Sequence, residues 1–140
     1  MLLSLLSSAN RITAVIVGAL YLVSGVVGFF VSAGTGVFAA AGRLLLGVFS
    51  LNPAGAAVDI LIGAALMIAG LSTVAASKIV NAVIGAVFLA LGIAGLFVIG
   101  TGLNLLALNG ADNVVHFASS VILLAVGLGA ERSVKTAATS

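Results

Sequence analysis

The chain has 140 residues, of which 63% are hydrophobic and only 6% are charged, and its mean hydropathy is +1.45. Soluble domains carry about a quarter charged residues, so this composition excludes a soluble protein. The formal net charge of +2 is too small and too scattered for a nucleic-acid partner. Because the chain contains no cysteine, it can form neither a disulfide framework nor a thiolate metal site.

Four apolar segments are long enough to cross a membrane, and we predict transmembrane helices at about 11–31, 53–72, 78–98 and 110–130. A bilayer core of about 30 Å takes about 20 helical residues per crossing. Backbone polar groups cannot stay unpaired in lipid, so such segments form helices or a closed barrel. The glycine and alanine spacing is helical, and no alternating pattern appears. The predicted fold is therefore all-α, a polytopic membrane protein with four transmembrane helices.

The second half of the chain resembles the first half. Residues 11–31 align without a gap on residues 78–98, and residues 51–71 align in the same way on residues 108–128. The sequence therefore predicts a two-helix unit that occurs twice. Because the two units run in the same direction, we expect a pseudo-two-fold axis along the membrane normal to relate them.

These alignments predict a single membrane domain over residues 1–140. Repeat 1 covers about 11–72, repeat 2 covers about 78–130, and residues 131–140 form a short polar tail. Residues 2–6 are expected to lie in the membrane interface or to lengthen the first helix.

The positive charges predict the orientation, because cytoplasmic loops of membrane proteins are rich in Lys and Arg. With four helices both termini share one side, and the cations on that side are Arg11, Lys78, Arg132 and Lys135. The other side carries only Arg43. We therefore expect both termini to be cytoplasmic, in a bacterial cytoplasmic membrane. The insert around 37–46, which lengthens the first outward loop, is expected to lie in the interface as a short amphipathic turn or helix.

Small residues form a seam along each predicted helix. The hydrophobic effect gives helices in lipid little drive to associate, so close approach through small residues must hold the bundle together. The seams step by alternately three and four residues, the heptad spacing of a left-handed bundle. The glycines expected at helix contacts are Gly18, Gly25, Gly63, Gly70, Gly85, Gly92 and Gly127.

Two asparagines at aligned positions are predicted to cap helices. Asn52 stands before a proline at the first helical position, where the missing N–H has no consequence. Asn109 is followed three residues later by Asp112, a weak form of the capping box.

Asp59 and His116 occupy aligned positions, each seven residues after a cap, which places them about 10 Å below the helix start. Ionisable groups inside a membrane usually find partners. The predicted polar cluster comprises Asp59, His116, Asp112 and Tyr21. Three interpretations stay open: a buried cluster that fixes helix register, a proton-handling or ligand site, or groups that reach the interface.

Histidine in a membrane helix is also a usual haem or chlorophyll ligand. The chain has one histidine and no cysteine, and Met67 lies about two turns deeper than His116, so no bis-axial pair can form within it. We therefore expect no cofactor and no metal.

The run LNGADNVVH at residues 108–116, followed by a glycine-containing apolar helix, resembles a signature LNGADNxxH. This signature is typical of an uncharacterised family of small bacterial four-helix integral membrane proteins, classed as a domain of unknown function. The Gly-Thr-Gly loops at 34–36 and 100–102 and the Asn-Pro start of the second helix are similar too, and the resemblance spans roughly residues 11–130.

The first repeat departs from this family's pattern. The family usually has polar or histidine residues where this chain has Gly55 and Ala56, and a histidine where it has Asp59. That departure argues against a paired-histidine metal site and leaves a carboxylate–imidazole pair. The resemblance implies a fold and a location, and it implies no activity.

Two functions remain from the sequence. The preferred one is a non-enzymatic structural or accessory subunit, whose partners are the lipid bilayer and other membrane subunits or itself. The alternative is a small proton-linked transporter or conducting protein that uses Asp59 and His116. An enzyme is not expected, because no nucleophile–base pair is apparent. The inner half of the seams carries Gly, Leu and Ser, which argues against a hydrated path.

Overall fold

The computed structural model describes residues 1–131, of which 71% are helical. The elements are, in chain order, α1 Leu2–Leu6, α2 Ala9–Val31, β1 Arg43–Leu45, β2 Phe49–Leu51, α3 Pro53–Ser72, α4 Val74–Val98 and α5 Gly110–Gly129. By length and composition, α2 to α5 can each cross a membrane. The prediction of a predominantly helical protein with four transmembrane helices is therefore confirmed. The predicted polar tail lies outside the described residues beyond Glu131, and so do Arg132 and Lys135.

The four long helices form two helical hairpins that pack side by side. α2 packs most extensively against α3, and α4 packs most extensively against α5. Smaller contacts join α2 to α4 and α5, and α3 to α4. The buried core where these helices meet consists of Ala14, Tyr21, Ile62, Leu66, Phe88 and Leu123.

Glycines bring the helices of each hairpin into backbone contact. A Cβ built on Gly18 would lie 2.8 Å from the backbone nitrogen of Met67, and one built on Gly63 would overlap the backbone nitrogen of Leu22. No larger residue permits this approach. All seven glycines predicted at helix contacts would place a Cβ within 3.0 Å of an atom of the neighbouring helix.

Contacts at aligned positions of the two predicted repeats are alike. A Cβ on Gly70 would lie 2.9 Å from the carbonyl oxygen of Arg11, and a Cβ on Gly127 would lie 3.1 Å from the carbonyl oxygen of Lys78. Gly70 aligns with Gly127, and Arg11 aligns with Lys78. The pseudo-two-fold axis itself stays a prediction.

The insert around 37–46 forms a turn at 37–38 and no helix, and its second half contributes a β-strand. Arg43–Leu45 pairs with Phe49–Leu51 in an antiparallel β-hairpin. Leu46 and Gly47 make the turn with φ of 53° and 71°. A hairpin pairs the backbone polar groups of a short apolar segment, which is too short to do so as a stable helix. The sequence signal for it was Gly47 followed by β-branched and aromatic residues.

Helix boundaries at the other end of the bundle also differ from the prediction. Residues 2–6 form a separate helix rather than an extension of α2, because Ser8 caps α2 and accepts a hydrogen bond from the backbone of Arg11. Thr73 alone separates α3 from α4, and its hydroxyl accepts a hydrogen bond from the Ala76 backbone at 3.0 Å. α4 therefore begins four residues earlier than predicted.

We expect Gly63→Ala to lower the free energy of unfolding in mild detergent by about 1–3 kcal/mol, the usual result of forcing extra volume into a packed interface. The new methyl group would overlap the backbone of Leu22. Gly129→Ala is the matched control, because Gly129 is also helical but its Cβ would meet no neighbour. Equal unfolding free energies for the two variants would contradict the close-packed interface.

Candidate functional site

Polar side chains concentrate at the two ends of the bundle. We call one the hairpin end: it holds the β-hairpin, the 99–109 loop and the starts of α3 and α5. The opposite one is the terminal end, which holds residues 8–11, the α3–α4 junction and the end of α5. The predicted polar cluster belongs to the hairpin end.

A cavity of about 550 Å³ lies between α2, α3 and α5, with the β-hairpin and the 99–109 loop over it. Most of its wall is Val, Leu and Ile. Its polar and ionisable lining residues are Tyr21, Ser24, Ser50, Asp59, Asp112, His116 and Ser119. The structure therefore places all four members of the predicted polar cluster on one cavity.

The cavity opens sideways between α2 and α5, which make few contacts with each other. Leu20 and Val23 on α2 line it and are 66% and 62% exposed, and Ile122 on α5 lines it and is 50% exposed. In a bilayer these side chains face lipid. The opening therefore leads into the membrane.

Three aromatic rings pack against one another beside the cavity and connect three helices. The ring of Phe88 on α4 lies 4.5 Å from that of Tyr21 on α2 and 5.4 Å from the imidazole of His116 on α5, measured between centroids. Phe88 is fully buried. The Tyr21 hydroxyl also hydrogen-bonds to the hydroxyl of Ser119 at 2.9 Å. Stacking and this bond together fix α2 against α5.

The predicted direct pair of Asp59 and His116 does not form. Asp59 accepts a hydrogen bond from the Ser24 hydroxyl at 3.2 Å, and Nδ1 of His116 has no hydrogen-bond partner among the described residues. The physical reason is the helix arrangement, because α3 packs mainly against α2 and α4. Asp59 therefore finds its partner on α2, and His116 stacks on Phe88 from α5.

Asp112 and Asn109 position the β-hairpin above the cavity. Their side chains form a complete capping box at the start of α5. Oδ2 of Asp112 also accepts a hydrogen bond from the backbone of Ser50 at 3.1 Å, and the Asn109 amide donates to the carbonyl of Val48 at 2.7 Å. These two cap residues therefore tie the hairpin to α5, a role that their sequence spacing did not indicate.

Asn52 has an equivalent double role at the start of α3. Its Oδ1 accepts from the Gly55 backbone at 2.7 Å, which caps the helix. Its amide donates to the carbonyls of Ala39, before the β-hairpin, and of Leu105, in the 99–109 loop. Asn52 is fully buried, and it joins the two loops that cover the cavity.

At the terminal end, two cations cap helix C-termini. Arg11 donates from Nε to the carbonyl of Gly70 at 2.9 Å and from Nη2 to that of Leu71 at 3.3 Å. Lys78 donates from Nζ to the carbonyl of Ala130 at 3.2 Å. Positive charge is favourable at the C-terminus of a helix. Arg11 and Lys78, on which the predicted membrane orientation partly rests, thus also stabilise the C-terminal ends of α3 and α5.

At the terminal end, a series of hydrogen-bonded side chains links α4 to α2 and α2 to the residues after α5. The Asn81 amide donates to Oδ1 of Asn10 at 3.0 Å, and the Asn10 amide donates to Oε2 of Glu131 at 2.9 Å. Partial burial raises the pKa of Glu131, but hydrogen bonds from Ser8, Asn10 and Ala9 outweigh it, so the pKa lies below its ordinary value. Sequence reasoning missed Asn10 and Glu131, because 121 positions separate them along the chain.

The structure gives no metal-binding cluster within residues 1–131, since no three His, Cys, Asp or Glu side chains come close enough to hold an ion. Asp59, Asp112 and His116 border the same cavity without converging on one point. The site is therefore an apolar cavity with separate polar groups on its wall.

A family profile described as a domain of unknown function, DUF4383, matches residues 11–129. The chain therefore belongs to this family, and the expected membership in a family of small four-helix membrane proteins is confirmed. Comparisons with curated proteins and with solved structures find no match. Function must accordingly be argued from the site.

We expect Tyr21→Phe and Ser119→Ala to be coupled in a double-mutant cycle by about 0.6 kcal/mol, the average for hydrogen bonds between membrane helices. Tyr21→Phe keeps the ring against Phe88 and removes only the hydroxyl. The measurement is the free energy of unfolding in mild detergent. Tyr21→Phe should be additive with Ser77→Ala at the terminal end, and no coupling in the first cycle would refute the bond.

Proposed function

We propose that this protein is a non-enzymatic integral membrane protein that serves as a structural or accessory subunit, in a larger membrane complex or as a homo-oligomer. The support comes from how its polar side chains are used. Tyr21 binds Ser119, Ser24 binds Asp59, and Asp112 binds the β-hairpin. Each of these bonds joins two elements of the bundle rather than preparing a reacting group.

The observation that carries this proposal is the solid interior beneath the cavity. Leu66, Phe88 and Leu123 have 0% exposure, and none of them lines the cavity. They separate the polar groups of the hairpin end from Asn10 and Asn81 at the terminal end. A channel or transporter needs polar positions along one face across the whole bilayer.

The chemistry of the serines supports a non-enzymatic role. Nucleophilic catalysis needs a hydroxyl within hydrogen-bond reach of a base. The hydroxyl of Ser119 pairs with Tyr21, and the hydroxyl of Ser24 pairs with Asp59. Neither hydroxyl is poised against the imidazole of His116.

Proton-linked transport is the second candidate, because Asp59 and His116 line the same cavity. It would require the buried layer of Leu66, Phe88 and Leu123 to open. Measuring proton flux into liposomes that contain the purified protein and an internal pH dye discriminates between the accessory role and proton-linked transport. Proton flux that exceeds protein-free vesicles and is lost in Asp59→Asn would favour the transporter.

We expect the protein, purified from its native membrane in mild detergent, to elute as a species heavier than its 13.6 kDa monomer. That species should contain several copies of the chain or a second subunit in fixed ratio. Crosslinking before solubilisation controls for dissociation in detergent. A monomer in both the crosslinked and the untreated sample would contradict the accessory role.

We also propose a bacterial cytoplasmic membrane as the location, with both termini in the cytoplasm. The charges support it: Arg11 and Lys78 lie at the terminal end, whereas Arg43 alone lies at the hairpin end within the described residues. This asymmetry follows the positive-inside tendency.

The absence of cysteine makes the orientation directly testable. We expect an impermeant maleimide to label Val48→Cys, in the exposed hairpin turn, on intact spheroplasts. Ser7→Cys, between α1 and α2, should be labelled only after lysis. The reverse pattern would show that the termini face outward.

A further inference from the structure

We infer that the cavity at the hairpin end binds a neutral amphiphile from the adjacent membrane leaflet. Its apolar chain would lie between α2 and α5, and its hydroxyl head group would hydrogen-bond to Asp59 and His116. The inference does not depend on the accessory role, since a subunit of any assembly could hold such a ligand.

Size and access define the class of ligand. The volume of about 550 Å³ lies within the range of small-molecule pockets, about 300–1,000 Å³. The mouth between α2 and α5 is bordered by the exposed side chains of Leu20, Val23 and Ile122. Because this mouth faces lipid, the molecules that can enter are those dissolved in the bilayer.

His116 supplies an unused polar group on the wall. Its side chain is only 7% exposed, and its Nδ1 has no hydrogen-bond partner among the described residues. A buried polar atom without a partner is unfavourable, because it has lost its bonds to water and gained none in return. Turning the ring by about 180° exchanges Nδ1 with Cδ2 and Nε2 with Cε1, so Nδ1 can change sides without a backbone shift. A bound hydroxyl would satisfy it.

Asp59 supplies a second group. Its Oδ2 accepts from Ser24, and within the described residues its Oδ1 has no bond to a side chain or backbone. A carboxylate has about four acceptor positions, so most of its capacity is free for a donor. A hydroxyl has one hydrogen, so it can donate to Asp59 and accept a hydrogen bond from an imidazole N–H.

The charges on the wall select the head group. Asp59 and Asp112 line the cavity, and neither Arg11, Arg43 nor Lys78 does. A phosphate or carboxylate head would therefore meet two acidic groups with no compensating cation from residues 1–131, which is strongly unfavourable in an apolar site. An ammonium head would pair with these carboxylates but can only donate hydrogen bonds, whereas a hydroxyl can donate to Asp59 and also accept from the imidazole.

The test is photolabelling of the purified protein in lipid nanodiscs with three diazirine probes of equal chain length, an alcohol, a carboxylic acid and an amine. We expect the alcohol to label α2 or α5 saturably, and an excess of unlabelled long-chain alcohol should displace it. The acid should label at least ten-fold less. Labelling by the acid or the amine that equals or exceeds that by the alcohol would overturn the assignment.

Two pairs of variants locate the site. Ala118→Phe fills the cavity from α5 and should reduce alcohol labelling at least ten-fold. Ala125→Phe, seven residues further on the same helix face and also exposed, should leave it unchanged. Equal labelling of these two variants would exclude the cavity as the site.

The second pair separates ligand binding from folding. Asp59→Asn should weaken labelling by the alcohol several-fold. Ser77→Ala removes a buried hydroxyl at the terminal end, outside the cavity, so it should retain the labelling. Elution volume and helical circular dichroism confirm that each variant is folded. If Asp59→Asn kept the labelling, Asp59 would not be the head-group acceptor.

Discussion

Backbone-to-backbone contact between helices is the constraint on which this structure depends. Lipid provides little hydrophobic drive for helices to associate, so the stabilising contacts must be dispersion and short polar contacts that require close approach. Gly18 and Gly63 let α2 approach α3, and Gly85 and Gly127 let α4 approach α5. This close spacing is confined to each hairpin, because α2 and α5 make few contacts with each other and the cavity lies between them. None of these four glycines lines the cavity.

Polar side chains join neighbouring elements by hydrogen bonds at both ends of this apolar bundle. At the hairpin end, asparagine and aspartate caps also hold the loops, as the bonds from Asn52 and Asp112 show. At the terminal end, Arg11 and Lys78 satisfy carbonyls that the helices leave unpaired. Each group thus satisfies a backbone atom that would otherwise be exposed near lipid, and it joins two elements in doing so.

The parts of this structure that the sequence predicted are those set by local chemistry. Span length, small-residue spacing and the Asn-Pro and Asn-x-x-Asp caps each depend on residues within one or two turns. The parts it missed depend on which helices become neighbours. Their aligned positions predict that Asp59 and His116 lie at similar depth, but similar depth does not make two side chains neighbours. Because α3 packs mainly against α2, Asp59 accepts its hydrogen bond from Ser24. The hydrogen bonds that link Asn81 to Glu131 through Asn10 could not be predicted for the same reason.

The junction at Thr73 limits how far the two helical hairpins can separate. A single residue joins α3 to α4, so the ends of these helices stay adjacent. At the hairpin end, the bond between Ser50 and Asp112 joins the same two units. The bond from Asn52 to the carbonyl of Leu105 joins them a second time, so wider separation there would require both bonds to break. The lateral mouth of the cavity is therefore bounded at both ends by contacts between the two helical hairpins.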